Sequence, residues 1–145
     1  MSREILFKAK LKNWRELTKE EWWVEGNLIT DEMDADVAYI GYVLGSENGV
    51  IHDIDVVQIE PETLCQYIGL KDKNGSRIWE NDIVGFMDIT STESGYSEHD
   101  CVGKVGWEDE ELCFYVTGRL SAESWEVLQD CVVLGNAFDN PELLE

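Results

Sequence analysis

The dipeptide Asn74-Gly75 constrains this chain more than any other local feature. It closes the turn 71–75, between the apolar run Leu64–Leu70 and the run Arg77–Trp79. Both residues tolerate the positive φ angles required by tight turns between antiparallel strands, so the pair predicts a β-hairpin. Similar punctuation recurs along the chain. Gly45–Gly49 separates the apolar stretch 37–44 from Val50–Ile59, and the turn 80–82 feeds a strand at 83–87. The acidic turn 108–111 divides runs at 102–107 and 112–117, and Glu25-Gly26-Asn27 reads as a further hairpin turn between Trp22–Val24 and Leu28–Ile29. Short apolar runs with turn residues between them predict a mainly β chain.

The remaining segments are less regular. Ile5–Leu11 fits an opening strand, and Leu11–Glu21 admits one or two helical turns, with Trp14 and Leu17 three residues apart. Thr18 and Glu21 have the spacing of a capping box. Thr30–Asp36 reads as an acidic loop, 37–44 as either a strand or a short helix, and the polar stretch 89–100 as a mobile surface loop. Val127–Phe138 is the last apolar stretch, and Asn140-Pro141 suits the start of a short C-terminal helical turn. Pro61-Glu62 divides an N-terminal β-rich segment, 1–60, from a second part, 61–145.

Adjacent residues of a strand point to opposite faces, so Trp22 and Trp23 cannot both enter one core. If both lie in a strand, one of them needs cover from elsewhere. This makes Trp22 and Trp23 the candidate interface residues.

Charge narrows the partners. Eleven basic residues face 31 acidic ones, a net charge of −20. Six of the basic residues precede Glu20, whereas the stretch from Glu20 to Leu70 holds twelve carboxylates and no Lys or Arg. Such a field disfavours direct binding to nucleic acid or anionic membranes and favours basic partners. No apolar run approaches the ~18 residues of a membrane helix, and the start MSREILFKAK lacks the apolar core of a signal peptide. The expected location is the cytoplasm.

Familiar chemistry finds no foothold in the spacing. The four cysteines, Cys65, Cys101, Cys113 and Cys131, lack any C-x-x-C pair and read as free thiols. His99, Cys101 and Cys113 are ligand types without the close pairing of a zinc site. Ser97, His99 and Asp100 are too close in sequence to form a catalytic triad on a loop. His52-Asp53 reads as a surface pair. Asp72–Gly75 has its glycine at the fourth position of a would-be calcium loop rather than the sixth. Phosphate-binding glycine motifs are missing. The expectation is a protein that is not an enzyme, with no catalytic residues, cofactor or metal site.

Two stretches are more specific. Gln66-Tyr67-Ile68-Gly69-Leu70-Lys71-Asp72-Lys73-Asn74-Gly75-Ser76-Arg77-Ile78-Trp79-Glu80-Asn81-Asp82-Ile83-Val84 resembles the signature of the YopX-like family of phages and prophages, roughly Q-Y-T-G-L-x-D-K-N-G-x-x-I-Y-E-G-D-I-V. Val133-Leu134-Gly135-Asn136-Ala137-Phe138-Asp139-Asn140-Pro141-Glu142-Leu143-Leu144 is similar to that family's closing segment. The opening Ile5–Ala9 strand and Trp23–Gly26 also match. Asn81 departs from the family glycine, but asparagine is the other residue that readily tolerates a left-handed turn. The resemblance implies a β-rich fold with an SH3-like small barrel in the C-terminal half. It establishes no catalytic residues or cofactor, and its motif residues read as turn-formers and core.

Together these features predict a phage or prophage accessory protein without enzymatic activity: a protein-interaction or self-assembling module that forms a homo-oligomer or docks on a host or phage protein. The alternative is an acidic nucleic-acid mimic that occupies a host DNA-binding protein.

Overall fold

The computed structural model describes residues 4–117 and 123–145. The chain divides into two compact units, Met1–Tyr67 and Ile68–Glu145. Both are built from antiparallel β-sheet, so the mainly β expectation holds.

The first unit begins with β1 (Phe7–Lys10), followed by two short 3₁₀ turns at Trp14–Glu16 and Lys19–Glu21. The capping-box spacing at Thr18 makes no side-chain cap. Three long strands follow, β2 (Trp23–Asp31), β3 (Asp34–Glu47) and β4 (Val50–Ile59). A 3₁₀ turn at Pro61–Thr63 then leads into β5 (Cys65–Lys71). The strand order in this unit is β4-β3-β2-β1-β5. Residues 37–44 are therefore strand, and the acidic segment 30–36 lies mostly within strands, leaving only Glu32-Met33 between the two.

The turn expected at Glu25–Asn27 is absent: β2 runs through it without a break. Gly26 serves a different purpose. It is buried inside the strand, and a Cβ there would lie 2.5 Å from the Gly41 carbonyl oxygen and 2.9 Å from Ile40 Cγ2. Glycine lets two neighbouring strands approach at a bend, which is its second common use within a strand.

The sheet curls on itself. Beyond β1, Leu11 forms a bridge with Ile59, the Lys12 N–H donates to the Gln58 carbonyl (3.0 Å), and the Glu60 N–H donates to the Lys10 carbonyl (2.9 Å). One end of β1 thus meets one end of β4. Thr63 secures the closure, accepting from the Lys10 N–H at 2.8 Å and donating to the Glu60 carbonyl at 2.7 Å. Ala9, Ala38, Ile40 and Ile59 fill the interior, with Phe7, Val24, Leu28, Tyr42, Val57 and Leu64 packed around them.

The second unit takes over the end of β5, which turns through Asn74-Gly75 into β6 (Arg77–Trp79). Gly75 has φ 81°, as the sequence reading requires. The other strands are β7 (Asp82–Thr92), β8 (Gly95–Glu108), β9 (Cys113–Val116) and β10 (Val132–Asn136), with a helix α1 (Ser124–Gln129) before the last. They form a sheet in the order β10-β7-β8-β9. The stretch 89–100, read from sequence as a loop, is the far half of the β7–β8 hairpin, paired from Ile89↔Glu98 to Thr92↔Gly95. The expected small barrel is open rather than closed. β9 and β10 are opposite edges of the sheet, and no ladder joins them among the described residues. Part of the reason is local: the outward Val116 N–H of β9 donates to Ser124 Oγ at the start of α1, which occupies that edge. Ile68, Ile78, Val84, Phe86, Val105, Val116, Val127, Leu128 and Cys131 form the core. A 3₁₀ turn at Pro141–Leu144 supplies the expected C-terminal helical turn.

Candidate interaction surface

The register of the first unit sorts its side chains onto two faces, because successive residues of a strand alternate. Ile40 opposes Leu28 and Val57, and all three belong to the interior. The other face of the sheet therefore carries Ile29 opposite Tyr39, Gly41 opposite Val56, and Val43 opposite Ile54. On it, Ile29, Val43, Ile54 and Val56 are 39%, 47%, 50% and 45% exposed. Four large aliphatic side chains thus lie together in solvent on paired strands. Scattered exposed hydrophobic residues are ordinary, whereas a contiguous apolar patch is a candidate interaction surface.

Acid borders this patch. Asp31, Glu32, Asp34, Asp36 and Glu47 are exposed at the hairpin ends, while Asp53 and Asp55, alternating with Ile54 and Val56 along β4, face the other side of the sheet. Tyr42 donates its hydroxyl to Asp55 Oδ2 at 2.7 Å, and that bond to a carboxylate holds the Tyr42 phenol above its ordinary pKa. His52 lies 3.7 Å from Glu47.

The two candidate tryptophans occupy the β1 end of this unit. Only Trp23 is in a strand. Trp22 has helical backbone angles at the end of the second 3₁₀ turn and donates its indole N–H to the Leu17 carbonyl at 3.1 Å. Both are half-buried, and they are wrapped around the chain's own lysines. The Lys10 ammonium lies 3.9 Å from the ring centre of Trp14, 4.5 Å from Trp22 and 5.6 Å from Trp23. Lys8 lies 4.9 Å from Trp23, and Trp14 meets Trp22 edge-on at 5.0 Å. Lys10 is only 3% exposed, and ring faces are among the few environments that compensate a lysine for lost hydration. No local motif in the sequence announces this cluster. Its signal was the concentration of Lys8, Lys10, Trp14, Trp22 and Trp23 in one short stretch.

The motif residues of the second unit build structure. Asp72 Oδ1 accepts the N–H groups of Asn74 and Ser76, each at 2.9 Å, and Oδ2 accepts that of Val133 at 2.9 Å. The Val133 bond contributes most to holding this carboxyl below its ordinary pKa, against the opposing effect of burial. Asp82 accepts the Trp79 N–H at 2.9 Å, and Asn81 has φ 67° in the turn before it. Asn136 Oδ1 accepts the N–H groups of Phe138 and Asp139, at 3.0 and 2.9 Å, which shapes the closing segment.

The remaining candidates are dispersed. His99 lies on β8 opposite Asp88, with its Nε2 3.4 Å from Thr90 Oγ1. Cys101 pairs with Phe86, and Cys113 with Glu108. Among the described residues, no group of three or more His, Cys, Asp or Glu side chains is placed to hold a metal ion. Burial pushes the Cys131 thiol up to about 11, with Asp72, Asp130 and Asp82 adding to the effect. It is therefore a neutral core group at physiological pH. A shallow cavity of about 330 Å³ lies on the second sheet, lined by Lys73, Met87, Asp100, Cys101, Val102 and Leu134. No helix among the described residues is long and apolar enough to cross a membrane.

Two antiparallel sheets, tight Asn/Gly turns pinned by buried aspartates and, among the described residues, one short α-helix define a mainly β protein. The chain belongs to the YopX family, whose model, described as YopX protein, matches residues 12–145. The fold is shared with the crystal structure of protein EF1440 from Enterococcus faecalis, at 23% sequence identity and a TM-score of 0.52 over 99% of each chain. No curated protein matches the chain.

Proposed function

We propose that this chain is a protein-interaction module without enzymatic activity, an accessory protein of the phage and prophage kind that its resemblance implies. One observation carries the reading: Ile29, Val43, Ile54 and Val56 form an exposed apolar patch on paired strands, bordered by carboxylates. Apolar contact supplies the strength of most protein–protein association, while charged borders set encounter rate and partner choice. The patch also favours a protein-binding surface over a nucleic-acid mimic. A mimic has to present carboxylates in place of phosphates, and four aliphatic side chains at the centre of the face do not serve that purpose.

Affinity capture from nuclease-treated bacterial lysate, with stepwise salt elution, tests this reading. The native chain and a Val43→Ser/Ile54→Ser/Val56→Ser variant are compared side by side. Proteins held by the native chain through moderate salt and lost by the variant are the expected result. Identical retention by both chains contradicts the assignment. A retained DNA-binding protein that leaves steeply with salt and ignores the substitutions supports the mimic instead.

A further inference from the structure

The exposed patch ends at a strand edge, and the two features together define what would fit there. Strand β4 is the outer strand of its sheet. Near its end the Gln58 carbonyl and the Glu60 N–H face outward and are taken by Lys12 and Lys10. Backbone polar groups alternate in direction along an antiparallel strand, so the N–H and C=O of Ile54 and Val56 face the same outer edge. Among the described residues, no hydrogen bond fills that edge at Ile54 or Val56. An unpaired edge is a template for another strand. Proteins usually blunt such edges with lysine, proline or a bulge. Val50–Ile59 contains neither lysine nor proline, and the register shifts of this hairpin begin just past the Val43–Ile54 pair, leaving Ile54–Ile59 in continuous register.

The side chains along that edge have a period of two. Ile54 and Val56 lie on the apolar face, while Asp53 and Asp55 lie on the other. We propose that β4 accepts an extended segment of another protein in which apolar and Lys/Arg residues alternate. This rests on the interaction-module reading and names its partner class. The added strand completes the outward hydrogen bonds of Ile54 and Val56. Its apolar residues extend the Ile54–Val56 patch, and its basic residues stand beside Asp53 and Asp55. The main-chain bonds supply affinity and the alternating side chains supply selection, as in other strand-addition complexes. A second copy of this chain is a poor occupant. Its β4 would set further carboxylates alongside Asp53 and Asp55, and like charges on neighbouring strands destabilise their pairing.

The test uses the full chain and fluorescently labelled ten-residue peptides, read by anisotropy at low and at physiological salt. The probes are alternating Val-Lys, the same ten residues arranged as five Val then five Lys, and alternating Val-Glu. The expected result is that alternating Val-Lys binds at least tenfold tighter than either of the others. Ile54→Thr/Val56→Thr, and separately Asp53→Asn, are each expected to weaken it several-fold, with unchanged circular dichroism. N-methylation of alternate peptide bonds on the pairing edge should abolish binding. Equal affinity for the alternating and block peptides would reduce the effect to bulk charge and overturn the proposal. So would binding that ignores Ile54→Thr/Val56→Thr, or light scattering that shows a dimer disrupted by the same pair. If all peptides fail while the patch still governs capture from lysate, strand addition falls and the interaction reading stands.

Discussion

The carboxylate of Asp72 accepts three backbone N–H groups, two from its own turn and one from Val133 in a distant strand. Hydrogen bonds to a charged acceptor each contribute about 1.5–3 kcal/mol, and a buried donor left unpaired costs more than the mean bond. Asp72→Ala should therefore lower stability by roughly 3 kcal/mol, read from urea unfolding at pH 7. The pH dependence has a definite sign. The native carboxyl titrates below its ordinary value, so its contribution is complete above about pH 4, the unfolded value, and disappears as pH falls through the native one. The stability gap between the native chain and Asp72→Asn should narrow on acidification below about pH 4. A gap that stays constant to pH 2 would show that the charge is not what Asp72 contributes. At this scale the sequence was informative where the signal is local. Asn74-Gly75 announced its turn because both residues carry the backbone preference themselves. The partner that makes Asp72 more than a turn residue, Val133, is remote and could not be read there. The same holds for Lys10 and its three tryptophans, whose neighbourhood depends on two 3₁₀ turns folding back over β1.

Strand β2 shows how a glycine misleads at the scale of elements. Glu25-Gly26-Asn27 has the composition of a turn, yet Gly26 is inside a nine-residue strand because its neighbour comes too close for a Cβ. Gly26→Ala should cost about 1–3 kcal/mol, the range for overpacking a tight site, because the Gly41 backbone cannot move aside as a flexible side chain would. A thermal melt unchanged from the native chain would return Gly26 to the role of a turn-former. The β7–β8 hairpin misleads in the opposite direction. Its far half, 89–100, is polar and exposed on both faces, so no apolar alternation marks it as strand even though it is paired on both sides of its turn. Long hairpins that outrun their core lose the pattern by which strands are recognised. The β3–β4 hairpin also outruns its core but stays apolar, and that difference singles it out as a candidate contact surface.

For the whole molecule, the mainly β class and the family were legible, since turn chemistry and the motifs around Asn74 and Asn136 are written in consecutive residues. The exposed apolar patch was not. It needs the register of three strands, the knowledge that β4 is an outer strand, and the assignment of Ile29, Val43, Ile54 and Val56 to the face away from the interior. The sequence directed attention instead to Trp22 and Trp23, which the fold stacks on Lys8 and Lys10. The region without Lys or Arg, from Glu20 to Leu70, includes the whole patch. The most direct test of that surface is hydrogen–deuterium exchange by mass spectrometry, comparing the free chain with the chain in complex with proteins it retains from lysate. New protection should concentrate in β4 around Ile54–Val56, with little change in β7, β8 and β10. Protection confined to the second sheet, or absent from β4 in a stable complex, would contradict that reading of the surface.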